Sequence, residues 1–285
     1  MGTRTKLLAA LAVGLLGPGC ARAPSPLAPH LAGSIGMPHR GVLTNASELP
    51  KTGAGFRWLR DNDRHHGLPR FVASIERAAA KVATERPGGT LLVGDLSART
   101  GGKVSGHASH RSGRDADLLL YMTTLEGAPV ETSDFVRVGN DGLAWDEAGK
   151  RFLRFDVERE WLLVKALVED DAARTQWLFV STPVKNMLLE WARARGETPE
   201  TIVRAMDAMW QPPPPAQSHD DHIHFRTACE PDEVALGCEP TGPDRPWLAT
   251  RKAPEPDTTA ELLTAILRPL DGKAVGAASD AKASR

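Results

Sequence analysis

The chain has 285 residues, of which 41% are hydrophobic and 25% are charged, and its net charge is −1. This composition is ordinary for a globular protein with one large domain or two small ones. The near-zero charge gives no indication of nucleic-acid binding or of broad attraction to an anionic membrane. After residue 20, no segment is apolar enough to span a bilayer.

The first twenty residues have the layout of a secretory signal peptide. Arg4 and Lys6 precede an apolar run of ten residues that is too short for a stable transmembrane helix. The run is followed by Cys20, and this resembles a bacterial lipoprotein signal with lipid on that cysteine, although Gly17 stands where the signal usually has leucine. Ordinary cleavage nearby is the alternative. Both interpretations predict a periplasmic protein, which a lipid on Cys20 would anchor to the outer membrane.

Residues 21–34 are rich in proline and alanine and are predicted to form a linker. Beyond it, periodicity predicts helices over residues 68–82, 156–170, 182–195 and 199–209, and strands over residues 90–97, 116–122, 176–181 and 222–227. Because the strands are few and alternate irregularly with the helices, we expect one α+β domain over residues 35–248 with a central antiparallel sheet flanked by helices. The polar residues 249–285 are predicted to be a disordered tail.

The cysteines fit an exported protein. If Cys20 carries lipid or is removed, Cys229 and Cys238 remain, and they flank a short segment. An oxidising compartment would close this segment as a disulfide loop. Two free buried thiols are the alternative.

Three of the nine histidines lie within the stretch SHDDHIHFR, at His219, His222 and His224. His222 and His224 alternate with apolar residues, which predicts a half-buried strand. Side chains two residues apart on a strand project from the same face about 7 Å apart. Both imidazoles are therefore expected to reach one metal region, and His219 could approach it from the preceding loop.

A second window, GHASHRSGRDADLLLY, supplies His107, His110, Asp115 and Asp117. A catalytic zinc site usually takes three nitrogen or oxygen ligands from the protein and leaves a fourth position for water. The two windows together therefore predict such a site. A closed structural zinc site is the alternative, but such sites are usually rich in cysteine, and neither window contains one.

The two windows resemble the metal motifs of the penicillin-insensitive murein endopeptidases, H-x6-D in GHASHRSGRDADL and H-x-H in HDDHIHFR. The resemblance covers residues 33–240 and includes GSIGMP, LVGDLS and WLFVSTPVK in the same order. It implies the fold group of lysostaphin-type and D-Ala-D-Ala-cleaving peptidases and of the hedgehog signalling domain. It also implies a zinc metallo-endopeptidase that hydrolyses peptide cross-links in peptidoglycan, with D-alanyl–meso-diaminopimelyl bonds as the expected target and peptide stems as the partner.

The resemblance further implies the roles of individual residues. His110, Asp117 and His224 would bind one Zn²⁺, and His107 would be either a further ligand or a residue that holds the site in place. Some family members use an Asp and a His for a second metal, but the matching residues 147–151 (EAGKR) contain no histidine. One ion is therefore expected.

Catalysis is expected to use zinc-activated water without an active-site serine. His222 matches the general base of the family, and His219 matches a histidine that would stabilise the oxyanion. Asp220 or Asp221 could orient a histidine, and Trp210 could line the substrate groove.

Two arginines are left with open roles by the sequence. Arg111 and Arg114 could pair with carboxylates of the peptide stem or neutralise Asp115.

Two other functions also remain open. One is a D-Ala-D-Ala or L,D-type peptidase with the same zinc site, and the other is a catalytically silent zinc-containing wall-binding protein. The presence of both candidate catalytic histidines favours an active enzyme.

Overall fold

The structure, a computed structural model, describes residues 31–248. The predicted signal peptide with Cys20, most of the predicted linker and the predicted C-terminal tail lie outside these residues. The helices are α1 (Pro69–Glu85), α2 (Val157–Glu169), α3 (Thr182–Ala194), α4 (Pro199–Ala208) and α5 (Pro231–Ala235). The strands are β1 (Ser34–Met37), β2 (Arg40–Leu43), β3 (Ser47–Glu48), β4 (Thr52–Gly53), β5 (Phe56–Trp58), β6 (His66–Gly67), β7 (Leu91–Val93), β8 (Asp115–Leu119), β9 (Met122–Thr123), β10 (Pro129–Val130), β11 (Leu143–Asp146), β12 (Arg151–Phe155), β13 (Thr175–Phe179), β14 (Met209–Trp210) and β15 (His222–Thr227). Between residues 31 and 248, no helix combines the length and the apolar character needed to cross a membrane.

The central sheet has seven strands in the order β14-β13-β15-β8-β7-β5-β4. Its middle four strands are antiparallel, whereas the pairs β13–β14 and β5–β7 toward its two edges are parallel. In the middle, β15 places His224 opposite Phe179 on one side and opposite Asp117 on the other. This mixture of helices and a central sheet confirms the predicted α+β class.

The predicted helices are all present, with ends within three residues of the predicted positions. Helix α1 begins with Pro69, whose fixed φ suits the first helical turn, and buries Phe71 and Val82 on one face. Helix α2 follows Asp156, whose side chain accepts a hydrogen bond from the backbone N–H of Arg159. This cap satisfies one of the otherwise free N–H groups at the helix start. Regular periodicity and recognisable caps made these elements predictable.

The strand predicted over residues 116–122 is wrong at its end, because β8 stops at Leu119 and β9 begins at Met122. Between them, the backbone N–H of Leu120 donates to the carbonyl of Asp221 (3.5 Å), and that of Tyr121 donates to the carboxylate of Glu160 (2.9 Å). The chain thereby leaves the central sheet. Strand β9 joins a second sheet with the order β10-β9-β12-β11.

Two further parts of the chain differ from the prediction. The strand predicted over residues 90–97 is regular only in β7, although Gly94 and Asp95 keep backbone hydrogen bonds to Asp117 (2.8 and 3.0 Å). The β1–β2 and β11–β12 hairpins were not predicted. Their strands are short and carry little hydrophobic alternation, so they depend on partners that the local sequence does not show.

Cys229 and Cys238 form the predicted disulfide. It joins the chain after β15 to the segment after α5. The neighbouring Arg114 is fully buried and donates to Cys229 Sγ (3.0 Å) and to the carbonyls of Gly36 and Glu239 (3.2 Å each). Arg114 is therefore a structural residue that fixes this end of the sheet, and it does not pair with a substrate.

Glu160 on α2 is fully buried and holds the backbone N–H of Tyr121 at the point where the chain leaves the central sheet. Burial, reinforced by the nearby Asp156, raises the pKa of Glu160 to about 8, despite the opposing effect of the Tyr121 hydrogen bond. A raised carboxyl pKa means that the folded protein holds this proton to higher pH than the unfolded chain does. The stability that Glu160 contributes to the fold is therefore greatest below the usual glutamate pKa and is lost as the pH rises toward 8.

We expect Glu160→Gln to remove this loss. Between pH 5 and pH 9, the unfolding free energy of the unsubstituted protein should fall relative to that of Glu160→Gln by up to about 4 kcal/mol. Urea denaturation at the two pH values measures the difference. The exposed Glu190 on α3 supplies a matched control, Glu190→Gln, which should keep the pH dependence of the parent. Parallel stability curves for the parent and Glu160→Gln would contradict the prediction.

Candidate active site

The candidate site lies where β15 and β8 run side by side in the central sheet. His222 and His224 project from the same face of β15 and line one cleft. Asp117 of β8 is the direct cross-strand partner of His224. The strand register thus joins the two sequence windows, as expected from their shared chemistry.

His110 reaches the same point from the loop before β8. Its backbone has φ 62°, a left-handed conformation that residues other than glycine rarely adopt. Its Nδ1 contacts the carbonyl of Leu96 at 2.9 Å, so Nδ1 carries the proton and donates it. In the neutral ring, Nε2 therefore bears the lone pair, and it lies 3.3 Å from Asp117 Oδ1.

Asp117 Oδ1 is the centre of the cluster. It lies 3.3 Å from His110 Nε2, 3.3 Å from His224 Nδ1 and 3.4 Å from His222 Nε2. Both Oδ1 and His110 Nε2 are buried and have no hydrogen-bond partner within the described residues. Unpartnered buried polar atoms are costly, so their convergence on one point fits a site that binds a cation.

The spacing of these atoms also suits zinc. Two ligands that each lie 2.0 to 2.1 Å from a tetrahedral Zn²⁺ are about 3.3 Å apart. Asp117 Oδ1 lies at this distance from both His110 Nε2 and His224 Nδ1. The chemistry of the set, two imidazoles and one carboxylate, is that of a catalytic zinc site with an open position. His110, Asp117 and His224 therefore fit a zinc ion.

The donor atoms form two compact sets of three within residues 31–248. In each set the atoms lie within 4.8 Å of one another, and the sets are His107, His110 and Asp117, and His219, His222 and His224. The structure thus brings together the six residues for which the family resemblance implies metal-binding or catalytic roles. His65 lies elsewhere, stacked on Trp58 with ring centroids 3.7 Å apart.

Asp115 orients the second imidazole of the predicted ligand set. This fully buried carboxylate accepts from His224 Nε2 (2.8 Å), from Arg226 Nε (2.6 Å) and from the backbone N–H of His110 (3.2 Å). The proton of His224 is thereby held on Nε2, and Nδ1 faces Asp117. Asp115 lies in the second sequence window, but the sequence did not indicate this role. Its position two residues before Asp117 on the same strand was the available signal.

The general-base candidate His222 is oriented by Asp221, whose Oδ1 lies 2.5 Å from His222 Nδ1. Asp220 instead pairs with Arg137 at 2.8 Å. The choice left open by the sequence therefore falls on Asp221. Because Asp221 holds the Nδ1 proton, His222 turns Nε2 toward the cluster.

The charges of the cluster move the pKa values of its members in opposite directions. Burial alone would raise the pKa of Asp117, but the nearby charges of His110 and His222 hold it well below its usual range. Burial alone would lower the pKa of His222, but Asp117 and Asp221 raise it to about 10. For His219, burial and then the charges of His222 and His224 lower the pKa to about 4. Strong shifts of this kind in a cleft are typical of functional sites.

His107 and His219 stand on the two sides of the cluster. His107 Nε2 lies 2.9 Å from Asp95 Oδ2, and its Nδ1 lies 3.6 Å from Asp117 Oδ2. His219 has φ 52° and contacts the carbonyl of Gln217 through Nδ1 at 2.8 Å. His107 thus bridges two carboxylates, whereas His219 is attached to the loop before β15.

The cluster forms one wall of an open cleft of about 430 Å³. Trp210, 43% exposed, lines it as predicted, together with Phe179 and Arg226. Arg111 and Arg114 are not among the residues that line it. The cleft is large enough to hold part of a peptide and brings it against the histidines.

Comparison with known proteins identifies a family and several relatives that this chain resembles. Residues 34–246 match the family model for penicillin-insensitive murein endopeptidase. A protein of that name from Haemophilus influenzae is 30% identical over 221 residues, which cover 74% of this chain and 68% of the relative. Another from Salmonella heidelberg is 28% identical over 220 residues, covering 75% and 73%. A third, from Yersinia pestis, is 29% identical over 215 residues, covering 74% and 71%.

These matches define the class of the protein, which is a peptidase and hence a hydrolase. The chain belongs to the penicillin-insensitive murein endopeptidase family. The resemblance seen in the two histidine windows is therefore confirmed over residues 34–246.

We expect Asp115→Asn to weaken zinc binding by about 10- to 100-fold while the fold is retained, because ligand-orienting carboxylates have effects of this size. The uncharged amide would no longer hold His224 with its proton on Nε2. Competition with a chromophoric chelator measures the affinity. Asp146→Asn is the matched control, since Asp146 is another buried carboxylate bonded to an arginine, but outside the site. Equal zinc affinity in Asp115→Asn and the control would refute this role.

Proposed function

We propose that the protein is an exported, zinc-dependent endopeptidase that hydrolyses peptide cross-links in peptidoglycan, at D-alanyl–meso-diaminopimelyl bonds. The observation that carries the proposal is the buried, unpartnered Oδ1 of Asp117, with three imidazole nitrogens at 3.3 to 3.4 Å, on the wall of an open cleft. The names of the family and of the relatives support murein as the substrate. A periplasmic location, with or without lipid on Cys20, is supported by the sequence of residues 1–20.

His110, Asp117 and His224 would hold the zinc ion. Leu96 and Asp115 fix the protons of the two imidazoles on the nitrogens that point away from the site. When bound, zinc would supply a Lewis acid that polarises the scissile carbonyl and acidifies water near neutral pH. The protein would contribute a preorganised, partly buried ligand set.

His222 would act as the general base. Its Nε2 faces the site because Nδ1 is held by Asp221, so it can take a proton from the attacking water and return it to the leaving amine. Attraction to the Asp117 carboxylate raises the pKa of His222 to about 10. That attraction would weaken when Asp117 neutralises a bound cation, which would lower the pKa of the imidazole again.

His219, whose ring lies beside those of His222 and His224, would support the oxyanion. Its Nδ1 donates to Gln217, so Nε2 must also carry a proton in order to donate to the carbonyl oxygen. Burial and the charges of His222 and His224 lower its pKa to about 4, but negative charge developing on the substrate favours the protonated ring. His107, between Asp95 and Asp117, would hold the Asp117 carboxylate in place rather than bind zinc directly.

The proposed function is tested with purified protein and cross-linked muropeptide dimers. Monomers should be released in the presence of zinc, and removal of the metal with a chelator should stop the release. Mass spectrometry of the products from defined stem peptides identifies the bond that is cleaved. Absence of monomers with zinc present would reject the proposal, and removal of a terminal D-alanine instead would establish the D-Ala-D-Ala peptidase alternative.

A further inference from the structure

Arg226 is the third residue on the face of β15 that carries His222 and His224, and it lines the same cleft. Its Nε donates to Asp115 Oδ1 at 2.6 Å, and its Cζ lies 5.0 Å from the centroid of the Phe179 ring. Its side chain is only 16% exposed. The guanidinium is therefore held in one orientation by an ion pair on one side and an aromatic ring on another.

The two terminal amino groups of Arg226 have no hydrogen-bond partner within residues 31–248. An arginine guanidinium has five N–H donors in a planar fork, and only the Nε donor is used here. The remaining donors are arranged to bind a carboxylate through two parallel hydrogen bonds. A guanidinium fixed in this way loses little side-chain freedom when a ligand binds.

Few permanent charges line the cleft. Among its described lining residues, Arg226 is the only lysine or arginine, and Asp117 is the only carboxylate. Asp117 faces three imidazoles and is assigned to the metal. An anionic group that enters the cleft would therefore find Arg226 as its permanent cationic partner.

We propose that Arg226 is a specificity residue that binds the free carboxylate next to the scissile amide nitrogen of the substrate. This inference rests on the proposed function. In a D-alanyl–meso-diaminopimelyl cross-link, the carbon that bears the scissile nitrogen also bears a free carboxylate. Residues i and i+2 on a strand are about 7 Å apart, so Arg226 stands beside the proposed zinc ligand His224. This distance suits the substrate carboxylate, whose carbon is two bonds from the scissile nitrogen.

The test compares two cross-linked dimers that differ at one position, where the diaminopimelate carboxylate next to the scissile nitrogen is either free or amidated. With zinc-loaded protein, kcat/KM should be about 10- to 100-fold higher for the free carboxylate, chiefly through KM, as expected for a charge-assisted pair. Arg226→Ala should cleave both dimers at similar rates. Arg226→Lys should restore part of the preference because it keeps the charge.

Loss of the preference separates recognition from a merely structural role, because a structural defect lowers the rates for both dimers equally. Arg77→Ala, which removes a surface arginine paired with Asp170, is the matched control and should keep the full preference. A parent enzyme that cleaves both dimers at equal rates, or an Arg226→Ala variant that keeps the parent's ratio, would overturn the proposal.

A binding measurement distinguishes this inference from the proposed reaction. Calorimetry on zinc-loaded His222→Ala reports the affinity for each dimer without turnover. If the parent cleaves neither dimer but His222→Ala binds the free carboxylate more tightly than the amide, the reaction is rejected and the recognition stands. If the affinities for the two dimers are equal, the recognition is rejected whatever the rates.

Discussion

Asp117→Ala is expected to abolish both metal binding and hydrolysis. Asp117 Oδ1 is the atom on which His110, His222 and His224 converge, and its loss removes the only carboxylate among the described residues lining the cleft. Metal content should fall from about one zinc ion per chain to nearly none, as expected when a three-ligand site loses a ligand. Elemental analysis after dialysis and the muropeptide digest measure the two effects.

Asp146→Ala is the control for Asp117→Ala. Asp146 is 3% exposed and pairs with Arg151 at 3.1 Å, so its loss removes a buried carboxylate from a hairpin outside the site. This variant should unfold at a lower temperature and keep its zinc and its activity. Full metal content in Asp117→Ala would show that the ion is held by a different set of residues.

His222→Ala is expected to separate metal binding from catalysis. Zinc content should remain at about one ion per chain, while the rate of hydrolysis falls by about 10²- to 10⁴-fold, the usual effect of a positioned general base. The separation is informative because His222 Nε2 lies as close to Asp117 Oδ1 as the proposed ligands do, 3.4 Å against 3.3 Å. Distance alone therefore does not distinguish a base from a ligand, whereas metal content does.

His65→Ala is the control for His222→Ala. His65 is a buried histidine outside the cleft, 1% exposed and stacked on Trp58. Its substitution should lower the stability without changing the zinc content or the rate measured well below the unfolding temperature. If zinc is lost from His222→Ala but kept in the control, His222 belongs to the ligand set, and another residue must be the base.

The helices and the two halves of the site could be predicted because their signals are local. Alternation around His222 and His224 is enough to place both on one face of a strand. The contact between His224 and Asp117 is different, because it depends on the register of two strands more than a hundred residues apart. In this case, the shared chemistry of the two windows and the family resemblance supplied the link that periodicity could not.

The orienting residues were harder to predict from the sequence. Asp220 and Asp221 are adjacent and chemically identical, and only the backbone geometry before β15 gives one to Arg137 and the other to His222. Asp115 has two plausible neighbours in sequence, Arg114 and Asp117, but its partners His224 and Arg226 lie on another strand. Such roles depend on tertiary contacts, which a single sequence does not display.

The left-handed backbone at His110 and His219, with φ of 62° and 52°, sets stability against activity at two specific positions. For a residue with a Cβ, this conformation costs roughly 1–2 kcal/mol, whereas glycine adopts it freely. The backbone conformation taken by itself would therefore favour glycine at both positions. In a descendant of this chain released from selection for catalysis, the half-buried His219 would be open to replacement by glycine, whereas at His110 the loss of a fully buried, hydrogen-bonded imidazole would outweigh the relief of backbone strain.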